Sequence, residues 1–482
     1  MKDAVLNCHG KHAICIYKIR YQGSPIVSRT YFATAALLPG GWHRNVRLHV
    51  DDQGIIEGVT SDATDEGAER LRGPVLPGMP NLHSHAFQRA MAGLAEVGSA
   101  MPDSFWSWRD HMYALVDRLT PDEVAVIARA LYVEMLKGGY TQVSEFHYLH
   151  HSPSGEPYAD PLAMSEALRE AAASSGIAMT LLPVLYAHSD FGGAPPTQGQ
   201  RRFVHGVDAY LRQLDELQSR CQADPCHTIG MALHSLRAVT PEEIAEVLAA
   251  NPAGPRHIHV AEQQKEVQAS LAWSGQRPVR WLLDNVEIDA RWCLVHATHL
   301  DDGEIDDLAV SGAIAGLCPT TEANLGDGLF PGEKYAARQG RWGIGSDSHV
   351  SLNVVEELRL LEYGQRLTTQ RRNVLQSPQQ RSVAEWLYTQ AAAGGAQASG
   401  QPIGALAPGK RADWIVLDGD DPYLASASDT SRMGRWIFAG SQAQIRDVMV
   451  AGVWQIEDGH HARDEDNRRE LRDVLKTLQR RD

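Results

Sequence analysis

Histidines and acidic residues in this chain recur at the ends of short apolar stretches. His83 and His85 end one such stretch, and residues i and i+2 of a strand point to the same face, so both imidazoles can converge on one ion. His259 ends another stretch and Asp347 ends the last one. Three imidazoles and a carboxylate form a ligand set for a catalytic zinc with an open water position. Iron or manganese could occupy the same ligands, and the affinity order favours zinc.

Two further residues could move protons beside such a metal. Glu262 follows His259 by three residues, at a strand-to-loop exit where an acid is not easily structural, and His296 ends the stretch WCLVHATH. The chain has 21 histidines, so chance pairs are expected, and the alternative for any one of them is a hydrogen-bonded polar residue. We predict that His257, two residues before His259 in the same strand, is such a hydrogen-bonded residue in the core of the barrel. We also interpret as structural the histidines without ligand spacing to this set: His147, His150, His151, His188 and His299.

The segment from about 79 to 395 alternates short apolar strands with amphipathic helices. Eight strand candidates carry polar residues near their carboxyl ends: PGMPNLHSHAF, TQVSEFHYL, AMTLLPVLYAH, IGMALHSL, RHIHVAEQ, RWCLVHATH, AIAGLCP and RWGIGSDSH. This pattern predicts an α/β fold, a (β/α)8 barrel, whose chemistry lies where the βα loops converge. A doubly wound open sheet is the competing fold, but no glycine-rich phosphate loop follows the first strand. Thr120-Pro121 and Thr240-Pro241, each followed by acidic residues, predict two helix starts.

The two ends of the chain have a different pattern of short strands and tight turns. Residues 31–78 and 396–482 therefore predict one small β-sandwich-like module built from both chain ends, with a charged helix at the C-terminus whose charges indicate a solvated face. The turn signal DDQG at 51–54 predicts a hairpin in this module. Residues 1–30 are expected to form a poorly ordered extension, leaving 79–395 for the barrel.

Composition limits the possible partners. The formal net charge is −15, which argues against non-specific nucleic-acid binding and against docking on anionic membranes. No apolar run reaches the roughly 20 residues needed to span a bilayer. The six cysteines show no disulfide or metal framework, which indicates a reducing cytoplasm. We expect no nucleic-acid or membrane partner for this chain, and we expect it to form a homodimer.

The motifs together are similar to those of the amidohydrolase superfamily. The resemblance is carried by PGMPNLHSHAF, HVAE, the lone strand-end histidine and GSDSH, and APGKRADWIVLD resembles the β module that many members carry after the barrel. No lysine ends the second, third or fourth predicted strand, where a metal-bridging carbamate would form. That departure from the two-metal pattern fits the single-metal deaminase branch.

Longer phrases resemble one family of that branch, the formimidoylglutamate deiminases of histidine breakdown. They are NLHSHAFQRAMAGL, SFWSWRDHMY, EFHYLHH, FGGAPPTQGQRRF and VEELRLLEYGQRL, and the resemblance covers about residues 31 to 460. It implies hydrolysis of N-formimino-L-glutamate to N-formyl-L-glutamate and ammonia. It implies four ligands to one divalent metal: His83, His85, His259 and Asp347. It implies Glu262, His296 and Asp347 as catalytic residues. It implies five substrate contacts: Gln88, Arg109, Tyr148, His234 and Arg237.

The physical properties of the implied substrate agree with these residues. Arginine binds carboxylate bidentately, so Arg109 and Arg237 match its two carboxylates. A surface ion pair or packing of the stem is the alternative for Arg109, and a polar core role is the alternative for Gln88 and Tyr148. A metal would make hydroxide available near neutral pH, with Asp347 and His296 placed to take up the proton and Glu262 to protonate the imine nitrogen. Two other functions remain open: deamination of a nucleobase or other cyclic amidine, and a non-catalytic metal-binding scaffold.

Overall fold

The computed structural model describes residues 28–97, 105–221, 224, 226–250 and 252–481, so residues 1–27 of the predicted extension at 1–30 lie outside the described residues. The strands in this part are β1 Arg29–Leu38, β2 Gly41–Val50, β3 Ile56–Thr60, β4 Glu69–Arg70, β5 Val75–Pro77, β6 Met79–Ser84, β7 Tyr140–His147, β8 Ala178–Leu185, β9 His227–Ile229, β10 Met231–Leu233, β11 Arg256–Val260, β12 Trp292–His296, β13 Ile314–Leu317, β14 Arg341–Ile344, β15 Trp414–Leu417, β16 Ile445–Val450 and β17 Val453–Ile456. The α-helices are α1 Phe105–Val116, α2 Pro121–Lys137, α3 Ala163–Ser175, α4 Val207–Cys221, α5 Pro241–Ala249, α6 Gln264–Ser274, α7 Pro278–Asn285, α8 Asp302–Ser311, α9 Pro319–Leu325, α10 Gly332–Ala337, α11 Val354–Thr369, α12 Val383–Ser399, α13 Pro422–Ala425, α14 Asp429–Ala439 and α15 Asp464–Gln479.

The predicted barrel is confirmed, with a strand at each of the eight predicted stretches. The strands pair in parallel in the order β14-β13-β12-β11-β10-β8-β7-β6, with the short β9 pairing beside β8. A parallel bridge between Ser84 and Asp347 brings the first and last strands together. In the register of β11 and β12, Val260 lies opposite His296. The carboxyl ends of the strands therefore meet at one edge, where the polar residues are.

The module from both chain ends is also confirmed, as a mixed sheet in the order β17-β16-β15-β5-β1-β2-β3, with β4 pairing on β1. Its predicted hairpin joins β2 to β3, where the Asp51 carboxylate accepts hydrogen bonds from the backbone of Gln53 and Ile55, each at 2.8 Å. Gly54 completes this turn at φ +77°, and a Cβ there would lie 2.1 Å from the carbonyl oxygen of Ala451. The turn from the N-terminal part thus packs directly on the C-terminal part.

Both predicted helix starts are present. Thr120 caps α2 and Thr240 caps α5, each in a reciprocal capping box with the glutamate three residues later. The terminal helix α15 is not only a solvated face, because Leu478 is buried and Lys137 of α2 pairs with Asp464 at 2.6 Å. None of the described helices combines the length and apolar character that crossing a bilayer requires.

Candidate metal centre and active site

The four predicted ligands meet at the carboxyl edge of the barrel. The Nε2 atom of His83 lies 3.1 Å from that of His85 and 2.9 Å from that of His259. The Oδ1 atom of Asp347 lies 3.4 Å from Nε2 of His83 and 3.2 Å from Nε2 of His85. Ligand atoms placed about 2.1 Å from a tetrahedral zinc ion are separated by about 3.4 Å. His83 belongs to two groups of possible ligands whose ligand atoms lie within 4.8 Å of one another, one with His85 and Asp347 and the other with His259 and His296. The distances around His83 are therefore close to those between ligands of one small divalent ion.

Hydrogen bonds orient two of the rings. A backbone carbonyl can only accept, so Nδ1 of His85 donates to Phe146 at 2.9 Å and Nδ1 of His259 donates to His234 at 3.0 Å. Both rings therefore keep the lone pair of Nε2 for a metal. Burial, together with the neighbouring His85, lowers the pKa of His83 to about 3, and burial holds the pKa of His259 well below its usual value. His83 and His259 are therefore neutral at neutral pH, as metal binding requires.

Asp347 reaches the histidines through an unusual backbone conformation. Its φ of 45° lies in the left-handed region, as does the φ of 67° at His296. Such conformations cost about 1 to 3 kcal/mol each in non-glycine residues and persist where surrounding contacts hold them. Here the Asp347 amide donates to the His83 carbonyl at 3.0 Å, and its carbonyl accepts from the His85 amide at 3.3 Å. The backbone of the first strand thus holds the carboxylate ligand in place.

Glu145 of β7 is a buried residue of the site that sequence analysis missed. Its carboxylate accepts hydrogen bonds from the Ser84 hydroxyl and the Ala86 amide, both at 2.6 Å, and from the Tyr132 hydroxyl at 3.1 Å. These donors flank His85, so the second strand fixes the turn that carries two metal ligands. The signal was an acid inside an apolar strand, in the phrase EFHYLHH.

Asn81 was also missed, and it joins the first strand to the last. Its side-chain amide donates to the Ser346 hydroxyl at 2.7 Å, and its carbonyl oxygen accepts from the Ser346 amide at 3.1 Å. His349 adds a second link, because its Nε2 accepts from the His85 amide at 3.2 Å. The seam of the barrel that carries His83 and Asp347 is therefore closed by side chains as well as by backbone.

Glu262 and His296 lie next to the ligands as a pair. Nε2 of His296 is 3.6 Å from Oε1 of Glu262 and 3.9 Å from Oδ2 of Asp347. Burial is the main cause that raises the pKa of Glu262, to about 7. Burial alone would lower the pKa of His296, but the surrounding carboxylates, Glu262 first, raise it to about 10. A carboxyl group with a pKa near neutrality can both take and give a proton, which is suited to acid–base catalysis.

Four of the five predicted substrate contacts line one cleft together with Glu262 and His296: Gln88, Tyr148, His234 and Arg237. The amide of Gln88 donates to the Tyr148 hydroxyl at 2.9 Å. Arg109 lies on helix α1 and does not line the cleft. Its guanidinium carbon is 4.5 Å from the ring centre of Trp106, and that of Arg237 is 5.8 Å from the same ring. The two arginines thus flank one indole beside the cleft.

The histidines predicted to be structural have no place in the ligand set. Nε2 of His257 donates to the Ala398 carbonyl at 2.8 Å, so its predicted hydrogen-bonded core role is confirmed. His150 likewise donates from Nε2 to the Val184 carbonyl at 3.1 Å. His188 instead contacts the carboxylate of Glu243, with Nε2 3.0 Å from Oε1.

A (β/α)8 barrel with three imidazoles and a carboxylate converging at its carboxyl edge, beside a buried glutamate, defines a metal-dependent hydrolase. The amidohydrolase family model matches residues 75–454. The chain therefore belongs to the amidohydrolase family. A second model, described as the N-terminal domain of formimidoylglutamate deiminase HutF, matches residues 28–73, which carry the N-terminal strands of the module.

Individual relatives cover nearly the whole chain. Formimidoylglutamate deiminase from Pseudomonas aeruginosa is 58% identical over 93% of this chain and 99% of its own length. The 5-methylthioadenosine/S-adenosylhomocysteine deaminase from Natronomonas pharaonis is 27% identical over 80% of this chain and 81% of its own length. The crystal structure of an amidohydrolase from Brucella melitensis superposes with a TM-score of 0.89 at 44% identity, covering 93% of this chain and 99% of that one.

Proposed function

We propose that this enzyme hydrolyses N-formimino-L-glutamate to N-formyl-L-glutamate and ammonia. The observation that carries the proposal is the pair of arginines beside the cleft of Glu262. The Nε atoms of Arg109 and Arg237 are both buried and have no hydrogen-bond partner among the described residues. Two guanidinium groups with spare donors suit a substrate with two carboxylates. The relative from Pseudomonas aeruginosa, at 58% identity over nearly its whole length, carries the name of this activity.

We further propose one zinc ion per chain, held by His83, His85, His259 and Asp347. The donor set supports this, since neutral imidazoles with converging Nε2 atoms and one carboxylate leave room for water. The ion would make a nucleophilic hydroxide available near neutral pH. Elemental analysis should find about one divalent ion per chain. Two tightly bound ions, or a carbamylated lysine, would contradict a single-metal site.

The residues around the proposed zinc site carry out the proton transfers. Asp347 takes up the proton of the attacking water, and Glu262 delivers a proton to the imine nitrogen so that ammonia can leave. The carboxylates around His296 keep it protonated, so it donates to the attacking oxygen and stabilises developing negative charge. This role differs from the sequence expectation that His296 accepts the proton of the water. Because Glu262 has a pKa of about 7, either protonation state is accessible at neutral pH.

A panel of substrates scored by ammonia release tests the function. Formiminoglutamate should be turned over with a kcat/KM far above that of any purine nucleoside, nucleobase or other cyclic amidine in the panel. A neutral cyclic amidine that proves the better substrate would contradict the proposal and favour a nucleobase-type deaminase. Absence of turnover on every compound, with the metal bound, would favour a non-catalytic scaffold.

We propose a cytoplasmic location for this enzyme. Cys221, Cys293 and Cys318 have free, buried thiols, and this supports a cytoplasmic enzyme. We also propose a homodimer, which light scattering during size-exclusion chromatography can test. The proposed domain limits remain 79–395 for the barrel, with 31–78 and 396–482 for the module and terminal helix.

A further inference from the structure

Asp327, two residues beyond helix α9, faces Glu262 and His296 and takes no part in the proton transfers proposed above. Its side chain is buried, with 5% of the residue exposed. A carboxylate oxygen of Asp327, one of Glu262 and a ring nitrogen of His296 lie within 4.8 Å of one another. The loop holds Asp327 in this place, because its amide donates to the Glu322 carbonyl at 2.9 Å. Asp327 is therefore a fixed part of the wall next to Glu262.

The hydrogen bonding of this carboxylate is incomplete. The side-chain amide of Gln263 donates to Oδ1. Oδ2 is buried and accepts no hydrogen bond within the part of the chain that the structure describes. A buried carboxylate oxygen without a donor is costly, so it indicates a partner that arrives with a ligand.

The charge around Asp327 indicates the kind of partner. The buried carboxyl groups near His296 outnumber the cations beside them: Glu262, Glu322, Asp327 and Asp347. A divalent ion at the ligand cluster would engage Asp347 directly and leave the other three. Burial first and then Glu262 raise the pKa of Asp327, so its carboxyl group ionises fully only when a cation lies beside it. A positively charged group entering here would relieve this excess of negative charge.

We propose that Asp327 binds the amidine end of the substrate and selects its cationic form. The inference rests on the proposed function, in which the substrate carries an amidinium group whose terminal nitrogen has two N–H donors. Glu262 faces one of these donors, and Oδ2 of Asp327 accepts the other. The product has a neutral formyl group with no N–H in this position, so the contact is lost once ammonia has left. The arginines hold the carboxylates at the other end, which are common to substrate and product.

The test compares Asp327→Asn with the parent enzyme on two ligands. One is formiminoglutamate, followed by ammonia release, and the other is N-formyl-L-glutamate, measured as a competitive inhibitor. We expect kcat/KM to fall at least about tenfold, because a charge-assisted hydrogen bond to the amidinium is lost. The inhibition constant of the product, whose formyl group is uncharged, should change less than about threefold. The matched control is Asp302→Asn, which removes the charge of an exposed aspartate on α8 that pairs with Lys334, and it should change neither value.

Two outcomes would overturn the inference. An inhibition constant that rises by the same factor as kcat/KM falls would mean that Asp327 shapes the cleft, and an unchanged kcat/KM would mean that it does not contact the amidine. Asp327→Ser is the second variant, should the asparagine fold poorly, and metal content and circular dichroism verify both proteins. Failure of the parent enzyme to act on formiminoglutamate would instead overturn the proposed function, and this inference with it.

Discussion

Glu262 is surrounded by groups that keep it available for proton transfer. It is buried, contacts His296, and has a pKa raised to about 7. Glu262→Gln keeps the size of the side chain but cannot move a proton. We expect turnover of formiminoglutamate to fall by roughly a hundredfold or more, with metal content and KM nearly unchanged. Steady-state kinetics and elemental analysis measure this, with Glu246→Gln on the exposed face of α5 as the control. Near-normal turnover would assign the proton transfer to another residue.

The arginines beside Trp106 should carry the recognition of the two carboxylates. The protein is acidic overall, so its general field does not attract a dianion, and specific cations are needed. Arg109→Met and Arg237→Met each keep most of the apolar stem, and kcat/KM should fall at least about tenfold in each. With the parent enzyme, a substrate analogue that lacks one carboxylate should have a low kcat/KM. In the variant that lacks the matching arginine, the kcat/KM of this analogue should fall little further, because the interaction is already absent. Arg212→Met, an exposed position on α4, is the control.

If both variants process formiminoglutamate normally, the carboxylates are held elsewhere. Lys265 is then the first candidate, because its Nζ lies 4.2 Å from the ring centre of Trp106. Sequence analysis did not single out this lysine, since it is an ordinary exposed residue in the first turn of α6.

Side chains that bear chemistry at strand ends could be predicted from the chain, and side chains that support them could not. His83 and Asp347 are visible because each follows an apolar run and is of a type that binds metal. Glu145 supports the metal ligands through Ser84 and Ala86, which lie 61 and 59 positions away in the chain. Such a contact depends on how two strands pair, and no local pattern encodes the pairing. Asp327 was missed for the same reason.

At the scale of elements, strong local signals predicted what the structure has. The capping residues Thr120 and Thr240 begin α2 and α5 as expected. The stretch IGMALHSL was predicted as one strand, but the structure divides it into β9 and β10 at Gly230. A Cβ at Gly230 would lie 2.7 Å from the Pro255 carbonyl oxygen, so the strand is interrupted where another backbone comes close. Both halves pair with β8, and β10 also pairs with β11. Helix α1 was not expected, although Asp103 and Ser104, which are residue types that often cap helices, precede Phe105 in the sequence.

The hydrogen bonds between Glu145 of β7 and the end of β6 should determine the metal affinity. Glutamine at position 145 can still accept a hydrogen bond, but its amide nitrogen would face one of the donors Ser84, Ala86 or Tyr132. We expect Glu145→Gln to weaken metal binding by about 10- to 100-fold, as is typical when a partner of a ligand is altered. Competition with a chromogenic chelator measures the affinity. Glu170→Gln on the exposed side of α3 should leave it unchanged, and an unaltered affinity in Glu145→Gln would mean that backbone contacts suffice.

For the molecule as a whole, the general architecture could be predicted, while the closure of its parts could not. Alternating strands and helices indicated the barrel, and short strands at both ends indicated the shared module. The mixed order of the module, in which β5 lies between β1 and β15, depends on pairs that are distant in sequence. The same holds for the barrel seam, where Asn81 meets Ser346 across 265 positions.

The stability of the whole molecule should fall on mild acidification. Burial lowers the pKa of His147 to about 3 and those of His205 and His257 to about 4, while unfolded histidine titrates near 6.5. Between these values the unfolded chain binds protons that the folded chain excludes. Each such histidine therefore contributes stability that is complete above about pH 6.5 and decreases by about 1.4 kcal/mol per pH unit below it. Urea unfolding in the presence of a chelator, which removes linkage to the metal, should show a lower free energy of unfolding at pH 5 than at pH 7.

His257→Gln isolates one of these histidines. Its amide can still donate to the Ala398 carbonyl, but glutamine does not titrate. The free energy of unfolding should therefore depend less steeply on pH between 5 and 6.5, by about one proton relative to the parent. Carboxylates also titrate towards the acid end of this range, but they are the same in both proteins and cancel in the comparison. His460→Gln, which alters a histidine exposed on the surface, should retain the slope of the parent. Equal slopes in His257→Gln and the parent would show that the buried imidazole takes up its proton without unfolding.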